Sequence, residues 1–169
     1  MDILTKRIKG KDEKKYNESV YFPRYMKKAI EKLYIRDNEF ILGPIYSNND
    51  FQIGLTGTVK KGETYKNAII REIGEEVGLI PDERYLTVLY FSKGYKVYVI
   101  HINDCIPINR RESSTSINDN QDTKKKVGCY IYGSKNDVTK YFSRKNIYLY
   151  DSNDDIVGIA AVKRSAINF

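Results

Sequence analysis

Residues 64–78 constrain this chain more than any other stretch. Thr64 offers a hydroxyl where a helix N-cap needs one, Lys66 to Val77 contains no proline, and Gly78 suits the left-handed residue that closes a helix. Ala68, Ile69, Ile73 and Val77 recur at helical spacing, so one face is apolar. Gly74 is the weak point of that helix, about 1 kcal/mol worse than alanine in a helix interior.

The remaining faces carry charge in a pattern. Glu72, Glu75 and Glu76 stand at i, i+3 and i+4 and share one side of the helix. Arg71 lies four residues before Glu75, on the flank of that side, and Glu63 sits where the helix dipole favours a carboxylate. Mutual repulsion costs a few tenths of a kcal/mol per pair at a wet surface (roughly). An acidic helix face is therefore most often only a solvated one. The same face is also a cluster of hard oxygen ligands, the kind that Mg²⁺ or Mn²⁺ prefers. A cation held there needs an anionic substrate to complete its shell, and a pyrophosphate fits.

The spacing of the whole segment separates these readings. Gly57, Glu63, Arg71-Glu72, apolar Ile73, Glu75-Glu76, Gly78 and apolar Leu79 follow one another at fixed intervals. This segment, residues 57–79, resembles the Nudix box at each of its fixed positions. The resemblance implies a metal-dependent hydrolase of phosphoric anhydride bonds, built as an α/β/α sandwich on a mixed β-sheet. It implies that Glu72, Glu75 and Glu76 hold Mg²⁺ or Mn²⁺, with Glu76 foremost, and that the backbone carbonyl of Thr56 assists. Arg71 is expected to orient a glutamate through a charge-assisted pair, and Glu63 to support the cluster through its hydrogen bonds or by bridging waters. Gly57 and Gly78 are expected to permit tight loops at either end. The base that takes the proton of the attacking water lies inside the box in some family members, which makes Glu75 or Glu76 a candidate, and on a later loop in others. Glu112 is the best late candidate, with Asp104, Asp151, Asp154 and Asp155 behind it.

Elsewhere the chain reads as strands with smaller helices. Lys28–Arg36 ends at the turn pair Asp37-Asn38 and is followed by Phe40–Tyr46, which predicts a hairpin. Phe51–Leu55 reads as a short strand leading into Thr56-Gly57. Tyr85–Ser92 and Lys96–Asn103 form a second predicted hairpin about Lys93-Gly94. Residues 104–125 read as a long polar loop. Lys126–Tyr132 and Ile147–Tyr150 read as strands, Asp137–Phe142 as a short helix capped by Asn136, and residues 151–155 as a turn. Residues 156–167 are compatible with a strand followed by a helix. One long central helix among strands is an α+β arrangement. Residues 1–20 form a basic, polar lead-in, and residues 21–169 are expected to form a single domain.

Composition narrows the function classes. Cys105 and Cys129 form no metal-ligand spacing and read as reduced, buried thiols, and His101 is the only histidine, so a zinc centre or a histidine triad has little to build on. No membrane span or secretory signal is legible, so the protein is expected to be intracellular, cytoplasmic by default. The net charge of +7 and the 15 tyrosines favour phosphate-rich partners and offer faces for base stacking. The tyrosines Tyr85, Tyr90, Tyr95 and Tyr98 also suit simple packing in strands. On these grounds the preferred substrate is capped or 5′-phosphorylated RNA. The alternatives are a small nucleoside diphosphate derivative (ADP-ribose, a nucleotide sugar or a dinucleoside polyphosphate) or a catalytically silent module that only binds nucleotide or RNA. The short basic chain is also faintly similar to viral Nudix decapping and ADP-ribose-cleaving enzymes, a likeness with no motif behind it.

Overall fold

The computed structural model describes residues 20–46, 51–108, 122–142 and 156–167. In chain order the elements are β1 (Val20–Tyr21), α1 (Arg24–Ile30), β2 (Phe40–Tyr46), β3 (Phe51–Gln52), β4 (Leu55–Lys60), α2 (Tyr65–Val77), β5 (Leu79–Pro81), β6 (Thr87–Ser92), β7 (Tyr95–His101), β8 (Cys105–Pro107), β9 (Asp122–Gly133), α3 (Lys135–Phe142) and β10 (Ile156–Lys163). Eight strands form one mixed sheet in the order β1-β3-β2-β9-β7-β6, with β10 on β2 and β4 on β9; β5 and β8 form a separate pair.

β9 organises the sheet. One of its edges carries β4 antiparallel, Leu55 opposite Cys129 and Gly57 opposite Val127, and beyond that β2, with Phe40 opposite Gly133. The other edge carries β7 in parallel, Lys96 opposite Val127 and Tyr98 opposite Cys129. Side chains alternate along a strand, so Gly57, Lys96, Val127 and Cys129 share one face of the sheet. Thr56, Gly128 and Tyr130 share the other.

Helices cover both faces. α1 lies against Gly128 and Tyr130: a Cβ on Gly128 would come within 2.2 Å of Met26 Sδ, and the Tyr130 hydroxyl donates to the Met26 carbonyl. α2 covers the opposite face, over β4 and β9, burying Ala68, Ile69, Ile73 and Val77. α3 shares that side, since a Cβ on Gly133 would lie 3.4 Å from Asp137 Cβ. The α/β/α sandwich on a mixed sheet is thus the observed architecture. Among the described residues, no helix is long and apolar enough to cross a membrane.

The long helix forms as its sequence dictates. Thr64 is extended (φ −80°, ψ 160°) and its side chain accepts the Asn67 N–H at 3.0 Å. Gly78 closes the helix at φ 68°, with its N–H on the Gly74 carbonyl at 3.2 Å. The β6–β7 hairpin turns at Lys93-Gly94 as expected, with Gly94 at φ 87°. Cys105 and Cys129 are free and buried.

Several local expectations are corrected. No hairpin joins Lys28–Arg36 to β2, because residues 24–30 are helical: Met26, Ala29, Ile30 and Leu33 recur at helical spacing and all are buried. The short strand expected over Phe51–Leu55 is broken at Gly54 (φ 81°), and β4 instead runs from Leu55 through Thr56-Gly57 to Lys60. Tyr85 lies in a 3₁₀ turn rather than a strand. Residues 105–107 and 122–125 of the expected loop are strand, and residues 109–121 lie outside the described residues. Ser134, not Asn136, caps α3: its hydroxyl accepts the Asp137 N–H at 3.1 Å and donates to the Asp137 carboxylate at 2.8 Å. β10 ends in a single 3₁₀ turn, Arg164–Ala166. The lead-in through residue 19 and the strand and turn expected over 147–155 lie outside the described residues.

The weak point in α2 is testable. A Cβ on Gly74 would meet only Ile108 Cδ1 at 3.6 Å and the Leu79 carbonyl at 3.9 Å, both ordinary contacts. Gly74→Ala is therefore expected to stabilise the protein by about 0.5–1 kcal/mol, read as a higher urea midpoint with an unchanged slope.

Candidate active site

The acidic face of α2 closes around one guanidinium. Arg71 grips Glu63 with two parallel bonds, Nε to Oε2 at 2.8 Å and Nη2 to Oε1 at 3.0 Å. Its Nη1 donates to Glu72 Oε1 at 2.9 Å and reaches Glu75 Oε2 at 3.4 Å. Its Nη2 also donates to the Thr58 carbonyl of β4 at 3.1 Å, tying the helix to the sheet. Glu63 is fixed from behind, because its Oε1 accepts the Lys60 N–H at 3.0 Å. The four charged side chains are mostly shielded, 15–18% exposed. Glu76 is more buried still, at 8%. It stands one helical turn beyond Glu72 on the same side of α2.

The electrostatics follow from crowding. Burial pushes the Glu72 carboxyl up to about 7, the neighbouring Glu75 adds to the rise, and Arg71 opposes it. Glu63 moves the other way: burial raises it, but the Arg71 bond, the Lys60 N–H and the nearby cations outweigh that and hold it below the usual range. Arg71 is itself raised, since its bond to Glu63 and the charges of Glu72 and Glu75 outweigh its burial. Three carboxylates thus share one cation, and Glu76 lies beside them.

The structure therefore brings together Glu63, Arg71, Glu72 and Glu75, with Glu76 on the same helix side. Thr56 lies on β4 next to Gly57, with its side chain on the α1 side, where Gln52 Nε2 donates to its hydroxyl at 2.9 Å. Glu112, Asp151, Asp154 and Asp155 lie outside the described residues. Asp104 sits in the 3₁₀ turn after β7, where its carbonyl accepts the Asp82 N–H at 2.8 Å. His101 is engaged elsewhere, accepting the Asn103 N–H at 3.1 Å and meeting the Tyr132 ring edge-on. Among the described residues, no three His, Cys, Asp or Glu side chains already form a metal cage. The carboxylates are spread around Arg71 instead. Their chemistry still suits a hard divalent ion: every donor is an oxygen, and negative charge exceeds positive.

Gly57 has a role other than the tight loop expected of it. It lies inside β4, and a Cβ there would fall 2.3 Å from both Cγ and Cδ of Glu72. Its hydrogen lets the Glu72 side chain lie against the strand. Gly78 does close the helix in the left-handed region. The Thr58 carbonyl and the Lys60 N–H, both backbone groups, were not legible in the sequence, because any side chain can accompany them.

No family model and no solved structure matches this chain. The chain is similar to the ADP-ribose pyrophosphatase of Methanocaldococcus jannaschii, 34% identical over 109 residues. The match is to a pyrophosphatase. It covers 60% of this chain, and the chain spans 62% of that relative.

The Gly57 contact generates a test by double-mutant cycle. Gly57→Ala is expected to cost about 1–3 kcal/mol through overpacking. In a Glu72→Ala background, where the clashing Cγ and Cδ are gone, most of that cost is expected to disappear. Equal costs in both backgrounds, measured by urea unfolding, would mean that Gly57 serves something other than the Glu72 approach.

Proposed function

We propose that this chain is a Nudix hydrolase that uses Mg²⁺ or Mn²⁺ to cleave the pyrophosphate linkage of a nucleoside diphosphate derivative, with ADP-ribose first among the candidates. The observation that carries the reading is the Arg71-centred carboxylate cluster on α2, at the spacing of the Nudix box. The similarity to an ADP-ribose pyrophosphatase supports it and favours a small nucleotide over capped RNA.

In this reading Glu72, Glu75 and Glu76, with the Thr56 carbonyl, would hold the cation. When bound, the cation supplies Lewis-acid activation of the diphosphate and of the attacking water. Arg71 keeps the carboxylates from splaying, and Glu63 fixes Arg71 in turn through its grip on the Lys60 N–H. A carboxylate of the cluster, Glu75 or Glu76, or Glu112 from outside the described residues, accepts the proton of the water. The water oxygen bonds to phosphorus as the bridging P–O bond breaks, and the electron pair leaves with the second phosphate. The positive net charge of +7 assists capture of a polyanionic substrate. Capped RNA stands as a second reading, favoured by the surface described below.

The deciding experiment is a substrate panel with Mg²⁺ and with Mn²⁺: ADP-ribose, a nucleotide sugar, a dinucleoside polyphosphate, a free cap analogue and capped RNA. Turnover is expected with ADP-ribose, and EDTA should abolish it. Glu76→Gln is expected to lower turnover at least about 100-fold, beyond the roughly 10–100-fold typical of a residue that only supports a metal ligand. The variant should keep the wild-type circular dichroism. Near-normal activity in Glu76→Gln would overturn the ligand assignment, and no turnover of any panel member would favour a silent binding module.

A further inference from the structure

The edge strand β6 carries an aromatic side chain that the fold does not need to expose. Phe91 is 61% exposed, although it has no polar atom to present to water. It does not stand alone. Phe91 is opposite Lys96 on β7, and Lys96 is opposite Val127 on β9, so both lie on the sheet face covered by α2. Lys125, on β9, reaches the same group of rings through Tyr65. Tyr65, the first residue of α2, meets Phe91 edge-on with ring centroids 6.4 Å apart.

The two ammonium groups sit among these rings. Lys96 Nζ lies 5.2 Å from the Phe91 centroid, 5.5 Å from Tyr65 and 5.9 Å from Tyr98. Lys125 Nζ lies 5.8 Å from the Tyr65 centroid. Each ammonium over a ring keeps further N–H donors for another acceptor. The outcome is one exposed ring, Phe91, beside the half-buried ring of Tyr65, with two ammonium groups among them at the sheet edge.

We propose that this platform binds single-stranded nucleic acid, with a base stacked on Phe91 against Tyr65 and backbone phosphates on Lys96 and Lys125. The chemistry matches on both counts: an exposed ring flanked by a half-buried one gives a sequence-tolerant stacking surface, and lysines track the phosphates. The shape selects a strand over a free nucleotide. Small-molecule sites are concave and enclose most of their ligand, whereas Phe91 stands on the outer strand of the sheet. Binding at this surface does not require the hydrolase reading, and it supplies a reason why capped or 5′-phosphorylated RNA could be delivered to the chain.

The test is fluorescence anisotropy of the full chain with a short labelled oligouridylate, in EDTA so that metal-dependent cleavage is silent, starting at about 50 mM salt. Phe91→Ala is expected to weaken binding roughly five- to one-hundred-fold, the range of alanine substitution at base-stacking aromatics, and Phe91→Trp to retain it. The Lys96→Gln/Lys125→Gln double variant is expected to flatten the slope of log affinity against log salt by about 1.4, from two lost single-strand phosphate contacts. Lys163→Gln, at an exposed position on β10, should change neither the anisotropy midpoint nor the melting temperature. The proposal is overturned if the wild-type chain does not bind the oligonucleotide, or if heparin binds as well and Phe91→Ala leaves both affinities unchanged. It is also overturned if Phe91→Ala instead dissolves a dimer seen by light scattering without altering oligonucleotide binding. Loss of RNA binding with retained ADP-ribose turnover would leave the hydrolase reading standing, and the reverse outcome would leave the platform standing.

Discussion

The acidic side of α2 exists in its observed form because one arginine neutralises part of it. Glu63, Glu72 and Glu75 all reach the Arg71 guanidinium, whose planar fork presents five donors in fixed directions. A lysine in its place would offer a point charge and no bidentate grip on Glu63. The arrangement is not an obvious source of stability. Shielding several charges costs desolvation that the ion pairs only partly recover, and apolar residues of similar size frequently do as well or better. Burial, with Glu75 adding to it, pushes Glu72 up to about 7, the direction that such a cost predicts. Charge held against its own repulsion beside a sheet is what a cation-binding surface requires, and a packing role for the same helix face would be met more simply by leucine.

The sheet supplies the rigidity that the cluster needs. β4 is hydrogen-bonded into the sheet by β9, and it offers the Thr58 carbonyl to Arg71, the Lys60 N–H to Glu63 and the open Cα of Gly57 to Glu72. Three members of the cluster are thus referenced to one strand, while a single helix carries all of them but Glu63. Displacing β4 along its register with β9 would move every one of these contacts together. The second layer, α1, fixes that strand's partner from the other face, through Met26 filling the space left by Gly128 and through the Tyr130 hydroxyl.

The extent to which this was legible in the sequence follows from where each signal resides. α2 could be bounded at both ends because Thr64 and Gly78 are chemical caps, and its apolar spacing leaves one orientation. The residues of the charged cluster could be named because their side chains are themselves the signal. α1 was obscured: Lys28–Arg36 mixes two isoleucines and a tyrosine with a following turn pair, which suits a strand as well as a helix, and the decisive residue, Met26, lies before that stretch. The cap of α3 was displaced by two residues because Ser134 and Asn136 are equally good capping side chains, and only the reciprocal bonds with Asp137 choose between them. Gly57 reads as a turn residue because an unplaced glycine suggests backbone freedom, whereas its use is close approach. The Thr58 and Lys60 contributions leave no trace in a sequence, being made by the backbone.

Two surfaces of opposite charge flank α2, the lysines of β7 and β9 beside Tyr65 at its start and the carboxylates further along it, and their separation bears on which substrate would be accepted. Tyr65 opens the helix and Arg71 stands six residues later, a rise of about 9 Å along the axis. A strand resting on Phe91 and Tyr65 and running along α2 would bring its next phosphates towards the carboxylates, which repel them. Lys96 and Lys125 offset that repulsion on the platform side only, so the approach to the cluster itself depends on a cation to reverse the local sign. A small nucleoside diphosphate derivative meets the same barrier but has no need of the platform. If a strand stacks at Phe91 as proposed, that contact would add affinity for a long substrate and leave a short one unaffected, so the sheet edge, and not the acidic cluster both would share, would separate the two substrate classes.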